Sequence, residues 1–155
     1  MQAVATARFI EEDIGETAQQ VVLVGDLDAD PSSTSIRFWT GRQSLSGLSV
    51  CYRDAWESTH HQQQEGDSTG FTFTPSNPMV SKQLVKGMRP FRDWPFRRID
   101  YIFIRFGAHG GNALDVASCE RVFDGPMNGG VWASDHFGLV ADLGKLSNAE
   151  KQQHI

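Results

Sequence analysis

The chain has 155 residues, 39% of them apolar, and a net charge of −5, which fits one globular domain and excludes a disordered charged tail. No apolar run approaches the roughly 20 residues needed to span a bilayer, and the acidic balance disfavours generic coating of nucleic acid. Two cysteines, Cys51 and Cys119, are too few for a disulfide framework and fit a reducing, cytoplasmic setting.

In chain order, Met1 to Arg8 lacks both a charged n-region and a continuous apolar h-region, so it does not read as a secretory signal. Ala3, Ala7, Ile10 and Ile14 recur at helical spacing, with Glu11, Glu12 and Asp13 on the opposite, solvent-facing side. This predicts an amphipathic helix that Gly15 ends. Val21 to Val24 reads as a strand buried on both faces. Asp30-Pro31-Ser32-Ser33 predicts a turn into a short helix through Trp39, with a serine N-cap. From Gly41 to Pro78 the chain is polar, with short strand-like pieces such as Phe71-Thr72-Phe73, and His60-His61 reads as solvated. Between 82 and 98, Lys82, Lys86, Arg89, Arg92, Arg97 and Arg98 face Asp93 alone. This segment is a solvated loop or a contact for an anionic substrate. Arg89-Pro90 and Trp94-Pro95 mark extended backbone within it. Further strands are expected over Ile99 to Ile104, Leu114 to Val122 and Leu139 to Leu143, giving an α/β or α+β layered protein.

Three segments set acidic or imidazole groups at apolar strands: Gly25-Asp26-Leu27-Asp28, Arg98-Ile99-Asp100-Tyr101 and Ser134-Asp135-His136. An ionised carboxylate there is costly unless it is paired, hydrogen-bonded or bound to a metal. In these segments the chain resembles the C-terminal half of the endonuclease/exonuclease/phosphatase superfamily. Its G-D-x-N pattern is similar to Gly25-Asp26-Leu27-Asp28. Its R-[IL]-D-Y strand matches Arg98-Ile99-Asp100-Tyr101, and its S-D-H-x-x-[VL] signature matches Ser134 to Leu139. Phe71-Thr72-Phe73 resembles the G-x-T-[FW] segment, and Asp54-Ala55-Trp56 resembles a strand upstream of it.

The resemblance implies the C-terminal half of a four-layered α/β/β/α sandwich over residues 1–145, followed by a polar tail over 146–155. It implies hydrolysis of phosphate esters or phosphodiesters with magnesium, or alternatively manganese. The substrate is a nucleic acid, a phospholipid or an inositol phosphate. By the same resemblance, Asp26 orients or deprotonates the attacking water. His136 stabilises the phosphoryl oxygens or moves a proton, Asp100 hydrogen-bonds His136, and Asp135 lies near the metal. Asp28 stands where the family has asparagine. An ionised aspartate accepts but cannot donate, which leaves open whether Asp28 is protonated, holds a metal ion beside Asp135, or differs among subfamilies. Arg97 and Arg98 are the candidate contacts for the substrate phosphate. Full members carry a first half with an asparagine, a metal-binding glutamate and a Thr-His segment, which nothing before Asp26 supplies. Two readings follow. One is a phosphoesterase that needs an N-terminal half, or self-association, to cover its sheet; the other is a non-catalytic remnant or interaction module that keeps the motifs without turnover.

Overall fold

The structure is a computed structural model that describes residues 2–14, 20–60, 70–80, 96–106 and 114–145. The expectations for Gly15, for residues 61–64, for the segment 81–95 and for the tail 146–155 lie outside these residues. Helix α1 (Gln2–Arg8) runs on as a π-helical stretch (Phe9–Ile14). Then come β1 (Val22–Asp26), α2 (Thr34–Trp39), β2 (Tyr52–Asp54), α3 (Ala55–Thr59), β3 (Asp100–Arg105), β4 (Leu114–Val122) and β5 (Gly138–Lys145). One antiparallel sheet has the order β1-β3-β2, and β4 pairs with β5 in a second. Helices with antiparallel sheets make an α+β structure. No helix among the described residues is long and apolar enough to cross a membrane.

The π stretch changes the phase of the first helix. Its buried residues are Val4, Ala7 and Ile10, and Phe9 is exposed. Glu11, four residues after Ala7, also faces inward, against the expectation that it faces solvent. Its Oε1 accepts the Tyr52 hydroxyl at 2.9 Å, and its Oε2 lies 3.8 Å from Arg105. Burial and this carboxylate both push the Tyr52 phenol up from its ordinary pKa. The short helix through Trp39 forms as its sequence predicts, with the Ser33 hydroxyl accepting from the Ile36 amide.

Side chains of β3 alternate between two cores. Tyr101 and Phe103 point to one, where they meet Val4, Ile10, Ile36 and Trp39 from the helices and Tyr52 from β2. Phe103 is fully buried, which stabilises the fold by about 1.5–3 kcal/mol relative to exposure. Ile102 and Ile104 point to the other core, with Trp56 of α3 and Val116, Cys119, Leu139 and Leu143 of β4 and β5. Burial there raises the Cys119 thiol to about 11. The β4-β5 sheet packs on α3 and β3 and leaves Val22 and Val24 of β1 exposed, at 40% and 62%. β1 is therefore covered on one face only, which corrects the expectation of a strand buried on both.

A buried ion pair joins the polar middle of the chain to β3. Asp54 ends β2 and caps α3, its Oδ1 accepting from the amides of Trp56 and Glu57. Its Oδ2 accepts from Arg98 at 2.6 Å, and both side chains are almost wholly buried. Burial pushes the Asp54 carboxyl up, while Arg98 and the helix amide pull it down. Arg98 also lies over the Tyr101 ring, 4.8 Å from its centre. Removing one partner strands a buried charge. Asp54→Ala should therefore cost about 3–5 kcal/mol in urea denaturation, and the double variant Asp54→Leu/Arg98→Met should recover most of that loss.

Candidate active site

The site begins with strand register. β1 ends on Asp26 and β3 begins on Asp100, and the two residues are directly paired. Residues paired across an antiparallel ladder share a face, so both carboxylates stand on the side of Ile102 and Ile104. Two like charges in that position are destabilising unless something offsets them. His136, in the loop before β5, supplies the offset. Its Nδ1 lies 2.9 Å from Asp100 Oδ2, with both side chains about one-fifth exposed. A carboxylate only accepts, so Nδ1 carries the donated proton and Nε2 is the ring's other functional nitrogen. One oxygen each of Asp26 and Asp100 and a ring nitrogen of His136 all lie within 4.8 Å of one another. They are the one such group of potential metal-ligating side chains among the described residues.

Local structure holds each member. The His136 amide donates to Ser134 Oγ at 3.0 Å, tightening the turn that presents the imidazole. The Phe73 ring lies 5.1 Å from the His136 ring. Phe137, fully buried, packs under Arg121 and Trp132 and anchors the chain on the other side of the histidine. Asn77 is also fully buried. Its Nδ2 donates to the Ser134 carbonyl at 2.8 Å and its Oδ1 accepts from the Met79 amide. Nothing in the residue pattern marks Asn77, because an asparagine between serine and proline reads as an ordinary turn.

The other candidates are placed differently. Asp28 has φ 44, in the left-handed region that aspartate and asparagine enter more readily than most residues. Its amide donates to Asp26 Oδ1 at 2.8 Å. Its own carboxylate turns to Arg97, which donates to it at 2.7 Å and reaches Asp30 at 3.2 Å. Asp28 thus lies outside the group of Asp26, Asp100 and His136. So does Asp135, which is half-buried with its Oδ1 3.4 Å from the Ser134 hydroxyl. Arg97 binds the carboxylates of Asp28 and Asp30 and is largely buried. Arg98, expected at the substrate phosphate, is instead 4% exposed and paired with Asp54, out of reach of a bound anion. Consecutive residues in extended backbone point to opposite sides, so the two arginines cannot serve one ligand together. Beside Asp26 opens a cleft of about 950 Å3, bounded by Asp28, Asp30, Arg97, Thr6 and Trp39.

No protein-family model matches the chain, and no curated protein matches it either.

Asn77→Ala removes the donor that satisfies the Ser134 carbonyl. It should cost about 1–3 kcal/mol and raise amide hydrogen exchange over residues 134–137 ahead of the β-strands. Unchanged exchange there would show that Asn77 does not hold the loop.

Proposed function

We propose that the chain is the C-terminal half of a four-layered α/β/β/α domain of the endonuclease/exonuclease/phosphatase type, and that it hydrolyses phosphate esters or diesters by water attack. The observation that carries this reading is the Asp100–His136 hydrogen bond with the Asp26 carboxylate alongside. Attack on an anionic phosphorus centre requires an oriented nucleophile and neutralisation of developing charge. Asp26 is exposed at the end of β1 and can accept a hydrogen bond from water, orienting it or taking its proton. Asp100 fixes the orientation of the imidazole through the hydrogen bond to Nδ1. With its Nδ1–H held by Asp100, His136 accepts a proton at Nε2 and, once it carries that proton, donates it to a phosphoryl oxygen.

The donor set suits a divalent cation. Magnesium and manganese prefer oxygen, which Asp26 offers while Asp100 is engaged by His136, and magnesium is usually bound by one or two carboxylates with several waters. Asp135 lies outside the group of Asp26, Asp100 and His136, and only the resemblance would make it a further carboxylate near the cation. The cation would supply charge neutralisation at the phosphate. Asp28 is better explained by its left-handed backbone and its pairing with Arg97 than as a ligand. The exposed Val22 and Val24 support the part of the proposal in which another sheet, from an N-terminal half, completes the domain. The second reading, a non-catalytic interaction module, draws support from Arg97, which neutralises two of the acids lining the cleft.

The test is hydrolysis of nucleic-acid, phospholipid and inositol-phosphate substrates in magnesium, by the chain together with the N-terminal half of such a domain. Turnover should fall at least about a hundredfold in His136→Ala and disappear on chelation of the metal. Near-normal turnover in a folded His136→Ala protein would sink the assignment, and a folded assembly inactive on every substrate would favour the module. Asp100→Asn should lower turnover while leaving magnesium affinity roughly unchanged. A large loss of metal binding in that variant would make Asp100 a ligand instead of a partner to the histidine.

A further inference from the structure

Thr72 lies between the two halves of the site without entering it. It is completely buried, in an extended segment joined by the Phe73–Arg97 bridge to the residues just before β3. Its Oγ1 accepts from the amides of Ile99 and Asp100, at 3.2 and 3.3 Å. Its backbone carbonyl accepts from the Phe137 amide at 2.7 Å. Its own amide donates to the Arg97 carbonyl at 2.9 Å. One residue therefore grips the start of β3, where Asp100 begins its strand, and the residue directly after His136. Asp100 and His136 are 36 positions apart in sequence, and hydrogen bonds from Thr72 reach both of their segments.

We infer that Thr72 is a positioning residue that sets the Asp100–His136 separation and so keeps the imidazole in the tautomer protonated on Nδ1. The carbonyl contact depends on the backbone alone, but the two contacts to β3 depend on the hydroxyl. Serine retains that hydroxyl. Valine keeps the branched shape and loses the acceptor, and alanine loses both. A residue that only fills space would tolerate valine better than alanine, and a positioning hydroxyl would tolerate serine alone.

The inference rests on the hydrolytic reading for its catalytic consequence, but its direct readout is independent of activity. Proton–nitrogen NMR spectra of the His136 ring, recorded on the whole chain, report the tautomer. The wild type and Thr72→Ser should show a single form protonated on Nδ1. Thr72→Val and Thr72→Ala should lose that pattern and show averaged ring-nitrogen shifts. Where the assembled domain hydrolyses a phosphoester, kcat in both variants should fall about 10–100-fold with KM changed by less than about twofold, and Thr72→Ser should restore it. An unchanged tautomer in Thr72→Val and Thr72→Ala overturns the inference. Failure of both variants to fold overturns it too, because Thr72 would then be a general structural residue. Averaged tautomers in the variants, with a wild type that hydrolyses nothing, would leave the role of Thr72 standing and remove the hydrolytic reading.

Discussion

The antiparallel register of β1 against β3 is the constraint on which the site depends. It sets Asp26 opposite Asp100 on one face, behind which Ile102 and Ile104 enter the second core. A slip of one residue would move Asp26 to the helix-covered face and separate it from the imidazole. The register is held by the burial of Tyr101 and Phe103 on one side and Ile104 on the other, each at most 2% exposed. Apolar burial thus fixes where two carboxylates meet, although their mutual repulsion acts against the pairing. A histidine brought in from a distant loop then gives one of them a hydrogen-bonding partner.

Arginine placement separates this centre from the acids around it. Arg98 turns inward to Asp54 and joins β3 to the α3 cap, whereas Arg97 turns to Asp28 and Asp30 at the cleft. Both cations are used by carboxylates within the chain. Any anionic ligand at Asp26 and His136 would therefore depend on the imidazole or a cation for charge, rather than on these two guanidinium groups. The Tyr101 hydroxyl adds rigidity between the two arginines. It sits 2.6 Å from the Ala29 carbonyl and 2.9 Å from the Arg98 carbonyl, tying the loop after Asp28 to the start of β3.

Regular elements with a strong local signal were legible in the sequence. The run of apolar residues at 99–104 and the serine before Thr34 announce β3 and the capped α2, and both form with boundaries within a residue or so. Asp54-Ala55-Trp56 resembles a strand, but only Asp54 lies in one, at the end of β2, and Ala55 and Trp56 begin α3, because the Asp54–Arg98 pair and Trp56 packing decide these short elements. The exposed valines of β1 were misread because strand composition reports what a sheet face can bury, not what this chain brings to cover it. At the site, residue type marked Asp26, Asp100 and His136, since carboxylates and imidazole beside apolar runs need a reason. Arg98 misled for a related cause. Its charge suggested a surface, but its burial is decided by Asp54, 44 positions away. Asn77 and the hydroxyl of Thr72 act through backbone groups, which no side-chain pattern reveals.

The central claim is that reactive chemistry gathers at Asp26, Asp100 and His136, and not at the neighbouring cleft of Asp28 and Asp30. Paramagnetic broadening by manganese, followed residue by residue in NMR spectra of the whole chain, tests this most directly. The account predicts that low manganese concentrations broaden the signals of Asp26, Asp100 and His136 first, and that Asp26→Asn weakens the effect. Broadening centred on Asp28 and Asp30 and unaffected by Asp26→Asn, or none at any described residue, would contradict it.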